Sequence, residues 1–479
     1  MMEGDNRNLR RGLKNRHIQM IALGGAIGTG LFYGSAEAIS LAGPATILSY
    51  LIGGLVIYLI MRMLGEMSTE EPVAGSFSFF AYKYWNGFAG FFAGWNYWLL
   101  YILVSMAELT VVGIYLDHWL PIDHWISSLV VLMVITAVNL INVRFYGEFE
   151  FWFALIKVIA VIGMIVFGVI LIITGLGGAN ATVSNLWSQG GFFPLGASGM
   201  IMAFVVIMFS FGGTELIGVA AGEAENPEKT IPKAINQVMW RILIFYIGAI
   251  TVIMILNPWN LLNKDNSPFV SIFTNIGIPA AGHILNFVVL TAAISVYNSG
   301  IYSNSRMLYS LAEQGNAPRI FMKLSHNRVP FIAILVSSLC TAVAVIINYL
   351  VPNEAFMRVM AVATTAAAMT WATIILVHLR FRRAKKLKNS KTKFPSPLFP
   401  LANYICLLFL LLLVSLMILT GFSENGLMTY LLKTLHIIDN NSPAFFTLAA
   451  PDMSLSVLVM PIWFFILYLG FKFKKPNVA

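Results

Sequence analysis

Two short stretches of this 479-residue chain carry little side-chain cover over their backbone. They are Gly24-Gly25-Ala26-Ile27-Gly28-Thr29-Gly30 and Ser210-Phe211-Gly212-Gly213-Thr214-Glu215. Consecutive small residues weaken a helix, since glycine leaves helical geometry at little cost. Where a helix unwinds, one broken end presents N–H groups and partial positive charge, and the other presents carbonyls. A pocket between such ends matches a zwitterion, with carboxylate on the amides and ammonium on the carbonyls. A free α-amino acid is the simplest solute of that kind. Three ionisable residues stand in apolar surroundings: Glu108, Lys157 and Glu215. Burial disfavours the charged form of acids and amines alike, so Glu108 and Lys157 are candidate proton carriers. For Lys157, snorkelling toward the span's end is the structural alternative. Tyr101, Ser105 and Glu108 follow i, i+4, i+7 spacing and share one helix face, as a pocket wall for an amphiphilic solute or as ordinary core packing.

The elements that must position these groups follow from composition. Hydrophobic residues make up 58% and charged residues 11% of the chain, with a mean hydropathy of +0.79. A soluble protein carries roughly a quarter charged residues, so a water-facing globular domain is excluded and disorder more firmly still. Twelve apolar runs of membrane-crossing length are expected at about 18–40, 45–66, 88–116, 124–143, 151–175, 199–220, 242–257, 283–312, 331–351, 356–378, 399–421 and 454–471. With both termini cytoplasmic, 26 of the 30 Lys and Arg fall on the inner side and 3 on the outer, as the positive-inside rule requires. The first 17 residues are polar and basic with no cleavage site after them, so no removable signal peptide is read.

The expected fold is an all-α polytopic protein of the cell membrane with twelve transmembrane helices. A cytoplasmic segment 1–17 precedes a first repeat of five spans (18–176) and a second, inverted one (199–379). A basic cytoplasmic loop (380–398), two C-terminal spans (399–471) and a cytoplasmic tail (472–479) follow. The glycine clusters open the first helix of each repeat, spans 1 and 6. Paired interruptions in corresponding helices of inverted halves point to a transporter's binding site.

Other classes fit poorly. The net charge of +9 invites a nucleic-acid reading, but the run Arg380, Arg382, Arg383, Lys385, Lys386, Lys388 lies just inside a span, where basic residues orient helices and meet anionic lipid. No nucleic acid is expected. A channel would need acids recurring around a pore, and a sensor an added soluble domain. No nucleophile–base pair or metal set suggests an enzyme; Asp117-His118 and Asp123-His124 sit at an outer membrane edge. Cys340 and Cys406 lie in apolar runs without disulfide or zinc spacing. No cofactor is expected. Glu37 and Glu66 sit near span ends, where ordinary partners are the expectation.

The stretch from Arg11 to Gln19 running into Gly24–Phe32 resembles the opening of bacterial amino-acid permeases of the amino acid–polyamine–organocation superfamily. So do Gly65-Glu66-Met67, Glu71–Phe77, Gly94–Trp98, Phe209–Glu215, Ala224–Glu228 and Val296–Met307. The resemblance spans about residues 9–420 and is densest against aromatic amino-acid and phenylalanine permeases. It implies proton-driven uptake across the bilayer by a fold of two inverted five-helix repeats. It further implies that Thr29 and Gly30 hold the substrate carboxylate, and that carbonyls of Ala26, Phe209 and Gly212 take the ammonium. Ser105 and Glu108 would line the side-chain pocket, with Phe209 as an aromatic gate. Lys157 would tie span 5 to the break in span 1 where sodium-coupled relatives hold an ion, and Glu215 would brace the unwound part of span 6. Ile27, Gly28, Tyr101 and Thr214 complete the expected substrate site, and Tyr297 and Asn298 belong to the gating motif. Thr214 stands where aromatic permeases generally show an apolar residue and cationic relatives carry threonine. Substrate expectations therefore run from aromatic or large neutral amino acids to a cationic permease or an exchanger.

Overall fold

The computed structural model describes residues 16–17, 19–20, 27–73, 75–141, 143–178, 180–224, 226–262, 267–270, 279–350, 355–387, 390–420 and 454–473. Among them the chain is helical throughout, joined by turns and short irregular segments. A bilayer offers no partner for backbone N–H and C=O groups, so apolar chain of this kind satisfies them internally as helix. Ten helices among the described residues are long and apolar enough to cross a membrane.

Two of the predicted spans explain most of the difference from twelve. Gly34–Glu70 runs as one apolar stretch of 37 residues, but the helix Gly34–Ala42 ends at Gly43, whose φ is +57°. A 3-10 turn, Gly43–Ala45, then leads into Thr46–Glu70, so the stretch holds the end of span 1 and all of span 2. The final helix, Ser454–Lys472, has a shorter fully described apolar part, Val459–Lys472. Residues 422–453, which the expected topology makes an external segment, lie outside the described residues.

Local chemistry sets several other limits. The Gly87–Asp117 helix starts where the Asn86 side chain accepts a hydrogen bond from Ala89 N at 2.8 Å, an N-cap that satisfies a first-turn amide. Span 7 begins earlier than hydropathy indicated. Pro227–Arg241, the π-helical Ile242–Gly248 and Ala249–Leu256 form one 30-residue helix. Arg241, counted with an inner loop, is buried within it, and Arg306 is buried against the Tyr302 ring at 4.0 Å. The Ala355–Leu387 helix also continues past residue 378 and carries the first part of the basic run.

Gly87–Asp117, Pro279–Glu313 and Ala355–Leu387 form the interior and are buried over most of their length. Tyr146–Thr174 turns much of its apolar surface outward. The two glycine clusters meet among these interior helices.

Candidate functional site

The sixth span is interrupted where the small residues fall. Helix Gly196–Ile207 tightens into a 3-10 turn, Met208–Phe211, and helix resumes only at Leu216–Ala220. Between them Gly212 is extended (φ −54°, ψ 146°) and Gly213 has φ +92°, a conformation side chains rarely adopt. The break frees the Ser210 carbonyl, and Tyr246 in the π-helical turn donates its hydroxyl to it at 2.8 Å. The first span is also interrupted. Residues 16–17 and 19–20 are helical, Ile27 and Gly28 are not, and helix restarts at Thr29–Phe32. Ala26, with Gly24 and Gly25, lies outside the described residues.

The two breaks touch. A Cβ on Gly30 would stand 2.7 Å from Ser210 Cα, so this crossing tolerates no side chain. Around the contact lies a small buried cavity of about 20 Å3, bordered by Gly28, Gly30, Tyr101, Glu108, Phe209 and Gly212, with Val104, Ser210, Gly213 and Val296. That is room for about one water molecule. Larger hollows lie elsewhere, about 500 Å3 beside Asp117 and Tyr349 and about 390 Å3 beside Phe88 and Phe464, but neither borders a helix break.

Glu108 is the cavity's carboxylate. Its Oε1 accepts a hydrogen bond from Thr29 Oγ1 at 3.0 Å, while Oε2, also buried, finds no hydrogen-bond partner among the described residues. Glu215 turns back on its own break, accepting from Gly213 N at 3.2 Å and from Tyr101 Oη at 3.3 Å. Its carboxylate thus bridges the backbone of the unwound segment and Tyr101, which reaches from the cavity wall. Phe209 packs edge-on to Phe356 (6.1 Å between centroids), Phe356 to Tyr33 (5.0 Å) and Tyr33 to Tyr115 (6.4 Å). This aromatic series runs from the cavity toward the Asp117 end of Gly87–Asp117.

Other expected residues stand apart from the cavity. Ile27 is buried in the apolar core. Thr214 donates to Phe211 O at 3.0 Å, and Ser105 lies at the crossing with Pro279–Glu313, where a Cβ on Gly300 would stand 2.4 Å from its hydroxyl. Asn298 accepts from Asn139 Nδ2 at 2.7 Å, and the Tyr297 hydroxyl faces Thr136 and Ser338. Both tie Pro279–Glu313 to neighbouring helices. Lys157 is fully buried and donates to Ser295 Oγ at 3.0 Å; it does not snorkel. Of the break in span 1 to which Lys157 is expected to tie, Gly24–Ala26 lie outside the described residues.

Sequence reasoning singled out the cluster that holds Ser210 without assigning it to the cavity, and missed Val104 and Val296 there, Tyr246 at the break, and the Ser295–Glu150 pair beside Lys157. Glu150 had a readable signal, since it precedes Lys157 by seven residues and so shares its helix face.

An all-helical membrane protein in which two interrupted helices meet around a small cavity with a buried carboxylate in its wall has the construction of a solute permease. The comparisons with known proteins agree. The amino acid permease family profile matches residues 17–477, and the chain belongs to that family. It is 53% identical over 478 residues to the aromatic amino acid transport protein AroP of Escherichia coli (strain K12), covering 99% of this chain and 98% of that protein. AroP of Salmonella typhi is 52% identical over 468 residues, covering 98% and 96% of the two chains. An uncharacterized amino acid permease of Bacillus subtilis (strain 168), YtnA, is 45% identical over 485 residues, 100% of this chain and 98% of its own.

Proposed function

We propose that this permease carries aromatic amino acids into the cell by proton-coupled alternating access. Its twelve spans would form two inverted five-helix repeats and two further helices, with both termini cytoplasmic. The observation that carries the reading is the meeting of the two helix breaks at a cavity that presents main-chain groups, the Glu108 carboxylate and the Phe209 ring together. Main-chain dipoles recognise the α-carboxylate and α-ammonium shared by all amino acids. The ring of Phe209, backed by Phe356 and Tyr33, offers edge and face partners to an aromatic side chain. The AroP relatives point to the same substrate class.

The cavity is too small for an amino acid as it stands, so its walls must part to admit one. Phe209, which borders the cavity on the side the expected topology makes external, is the side chain we assign to opening it. Glu108 borders the cavity and Lys157 is coupled to it electrostatically across the bundle, so a proton bound at this pair is sensed where substrate binds.

The presence of a carboxylate in the wall also favours a second reading, a permease for cationic amino acids. One measurement separates the two: uptake of labelled phenylalanine into proteoliposomes, competed by each of the twenty amino acids. Tryptophan and tyrosine are expected to compete and lysine and arginine to leave uptake unchanged; competition by lysine with none by tyrosine would overturn the aromatic assignment.

A further inference from the structure

Seven residues before Lys157 on the Val143–Thr174 helix stands a second fully buried charge, Glu150. Ser295, from the facing Pro279–Glu313 helix, lies between the two. Its hydroxyl oxygen accepts from Lys157 Nζ at 3.0 Å and stands 2.8 Å from each Glu150 carboxylate oxygen. Lys157 Nζ and Glu150 Oε1 are themselves 4.0 Å apart. A hydroxyl has one proton to give, so accepting from the lysine obliges it to donate to the glutamate. The three groups form a line of hydrogen bonds with one polarity, ammonium to hydroxyl to carboxylate.

The surroundings give that line a direction through the molecule. Glu108, the cavity acid, and Arg241 act electrostatically on Lys157. Asn298 and Ser299 lie beside Glu150, and Tyr146 meets Ser299 at 3.3 Å. Two residues before Glu150 the same helix carries Glu148, whose side chain is 34% exposed and is held by Arg16 and by His17 at 3.2 Å. By the charge distribution, Arg16 marks the cytoplasmic side. Glu150 and Lys157 thus share one helix face, and Glu148, two residues before Glu150 and turned to the opposite face, brings the same helix to a half-exposed end.

We propose that Glu150 is the inner proton site of this permease and that Ser295 relays the coupling proton to it from Lys157. This inference rests on the proton-coupled reading above. In the step, the Lys157 ammonium gives a proton to Ser295 Oγ as the Ser295 hydroxyl gives its own to Glu150. A charged pair becomes a neutral amine and a neutral carboxylic acid, and the serine is regenerated. Net charge is unchanged, so the transfer avoids leaving one charge unpaired in a buried site. Glu150 then loses its proton to the cytoplasm as Lys157 takes the next from the cavity side, which restores the ion pair. Glu150 touches no substrate; it acts through Lys157.

The test uses the full chain in proteoliposomes, with labelled phenylalanine as probe and two assays side by side. One is accumulation driven by an imposed proton gradient, interior alkaline. The other is counterflow against unlabelled phenylalanine, which needs no net proton movement. Glu150→Gln is expected to lower accumulation at least tenfold and to flatten its pH profile, with counterflow within threefold of the unaltered protein. Glu150→Asp is expected to restore part of the accumulation. Full accumulation with an unchanged pH profile in Glu150→Gln would overturn the proposal. Should that variant be inactive in both assays, Ser295→Ala decides, because it removes the hydroxyl and keeps both charges: lost accumulation with retained counterflow supports the relay, and normal accumulation overturns it. In the unaltered protein, accumulation indifferent to collapse of the gradient would instead overturn the proton-coupled reading itself, an outcome distinct from unchanged accumulation in the variant alone.

Discussion

Glu66 and Glu108 are both buried glutamates on membrane helices, and they are held in opposite ways. Glu66, near the end of Thr46–Glu70, meets His378 Nε2 at 2.9 Å and Ser396 N at 2.7 Å through Oε2, and forms an ion pair with Arg382 Nε at 2.7 Å through Oε1. Asn403 Nδ2 approaches His378 Nδ1 at 3.1 Å and also Ile375 O at 3.3 Å, so the ring accepts at Nδ1 and carries its proton on Nε2, toward Glu66. His378 and Arg382 share the Ala355–Leu387 helix, while Glu66, Ser396 and Asn403 come from other parts of the chain, and together they fasten the basic segment to three helices. Glu108 is served by one residue, Thr29, and its second oxygen borders the cavity with no hydrogen-bond partner among the described residues. A buried carboxylate held by a cation specifies structure, whereas one at a cavity with no ion-pair contact among the described residues holds capacity for a proton or a ligand. The difference lies in the partners, because burial is the same.

The largest effect is expected from breaking the knot. Glu66→Ala leaves the Arg382 guanidinium and His378 without their acid, and losing one partner of a buried pair costs about 3 kcal/mol or more. A clear fall in the thermal unfolding temperature of the detergent-purified protein checks it, with phenylalanine affinity of the folded fraction unchanged. A variant as stable as the unaltered protein would place Glu66 with Glu108.

On the cavity side the matching change removes function and spares stability by comparison. Gly28→Leu forces a side chain where even a Cβ would stand 2.9 Å from Val296 and 3.0 Å from Glu108 Oε1. Filling a substrate cavity is expected to weaken binding by about a hundredfold, roughly 2.7 kcal/mol. Equilibrium binding of labelled phenylalanine measures it, and retained affinity would move the substrate elsewhere.

How much of this was legible before the structure depends on how local each signal is. The breaks at Gly28 and at Gly212-Gly213 were readable because a run of small residues acts on its own backbone. Glu108 was readable because a lone acid in an apolar run needs a reason. Glu66's role was not, since Arg382 and Ser396 lie more than 300 residues away and only tertiary packing brings them in. Glu150 fell one residue outside the apolar window assigned to span 5, and Arg241 was set in a loop because hydropathy cannot tell charge buried among helices from charge in water. Ser105 shows the limit of a helical stripe: it shares a face with Tyr101 and Glu108, yet the close approach of Gly300 covers it.

A subtler change at Glu108 sharpens the contrast. Glu108→Gln keeps the shape and the Thr29 contact but cannot take up or release a proton. Gradient-driven uptake is expected to fall about tenfold, equivalent to about 1.4 kcal/mol, and its pH dependence to flatten. Thermal stability should stay within about 0.5 kcal/mol, as no surrounding donor loses a needed acceptor. An unaltered pH profile would return Glu108 to packing.

The smallest effect tests whether Thr29 positions the carboxylate or merely fills space beside it. Thr29→Val preserves volume and β-branching and deletes one hydroxyl, the only side-chain donor to Glu108 among the described residues. One hydrogen bond to a charged or polar acceptor contributes about 1 kcal/mol net, so a change of about fivefold is expected in apparent phenylalanine affinity. If Thr29 orients Glu108, the same variant also moves the pH at which uptake is half-maximal, because the hydroxyl favours the ionised carboxylate over the protonated one. Loss of that donor makes protonation easier, so the half-maximal point shifts to higher pH. A fivefold affinity change with no pH shift would show the hydroxyl meeting the substrate directly, and the pair Thr29→Val with Glu108→Gln would then be additive. Non-additivity in that double variant is the signature of a donor that works through the acid beside it.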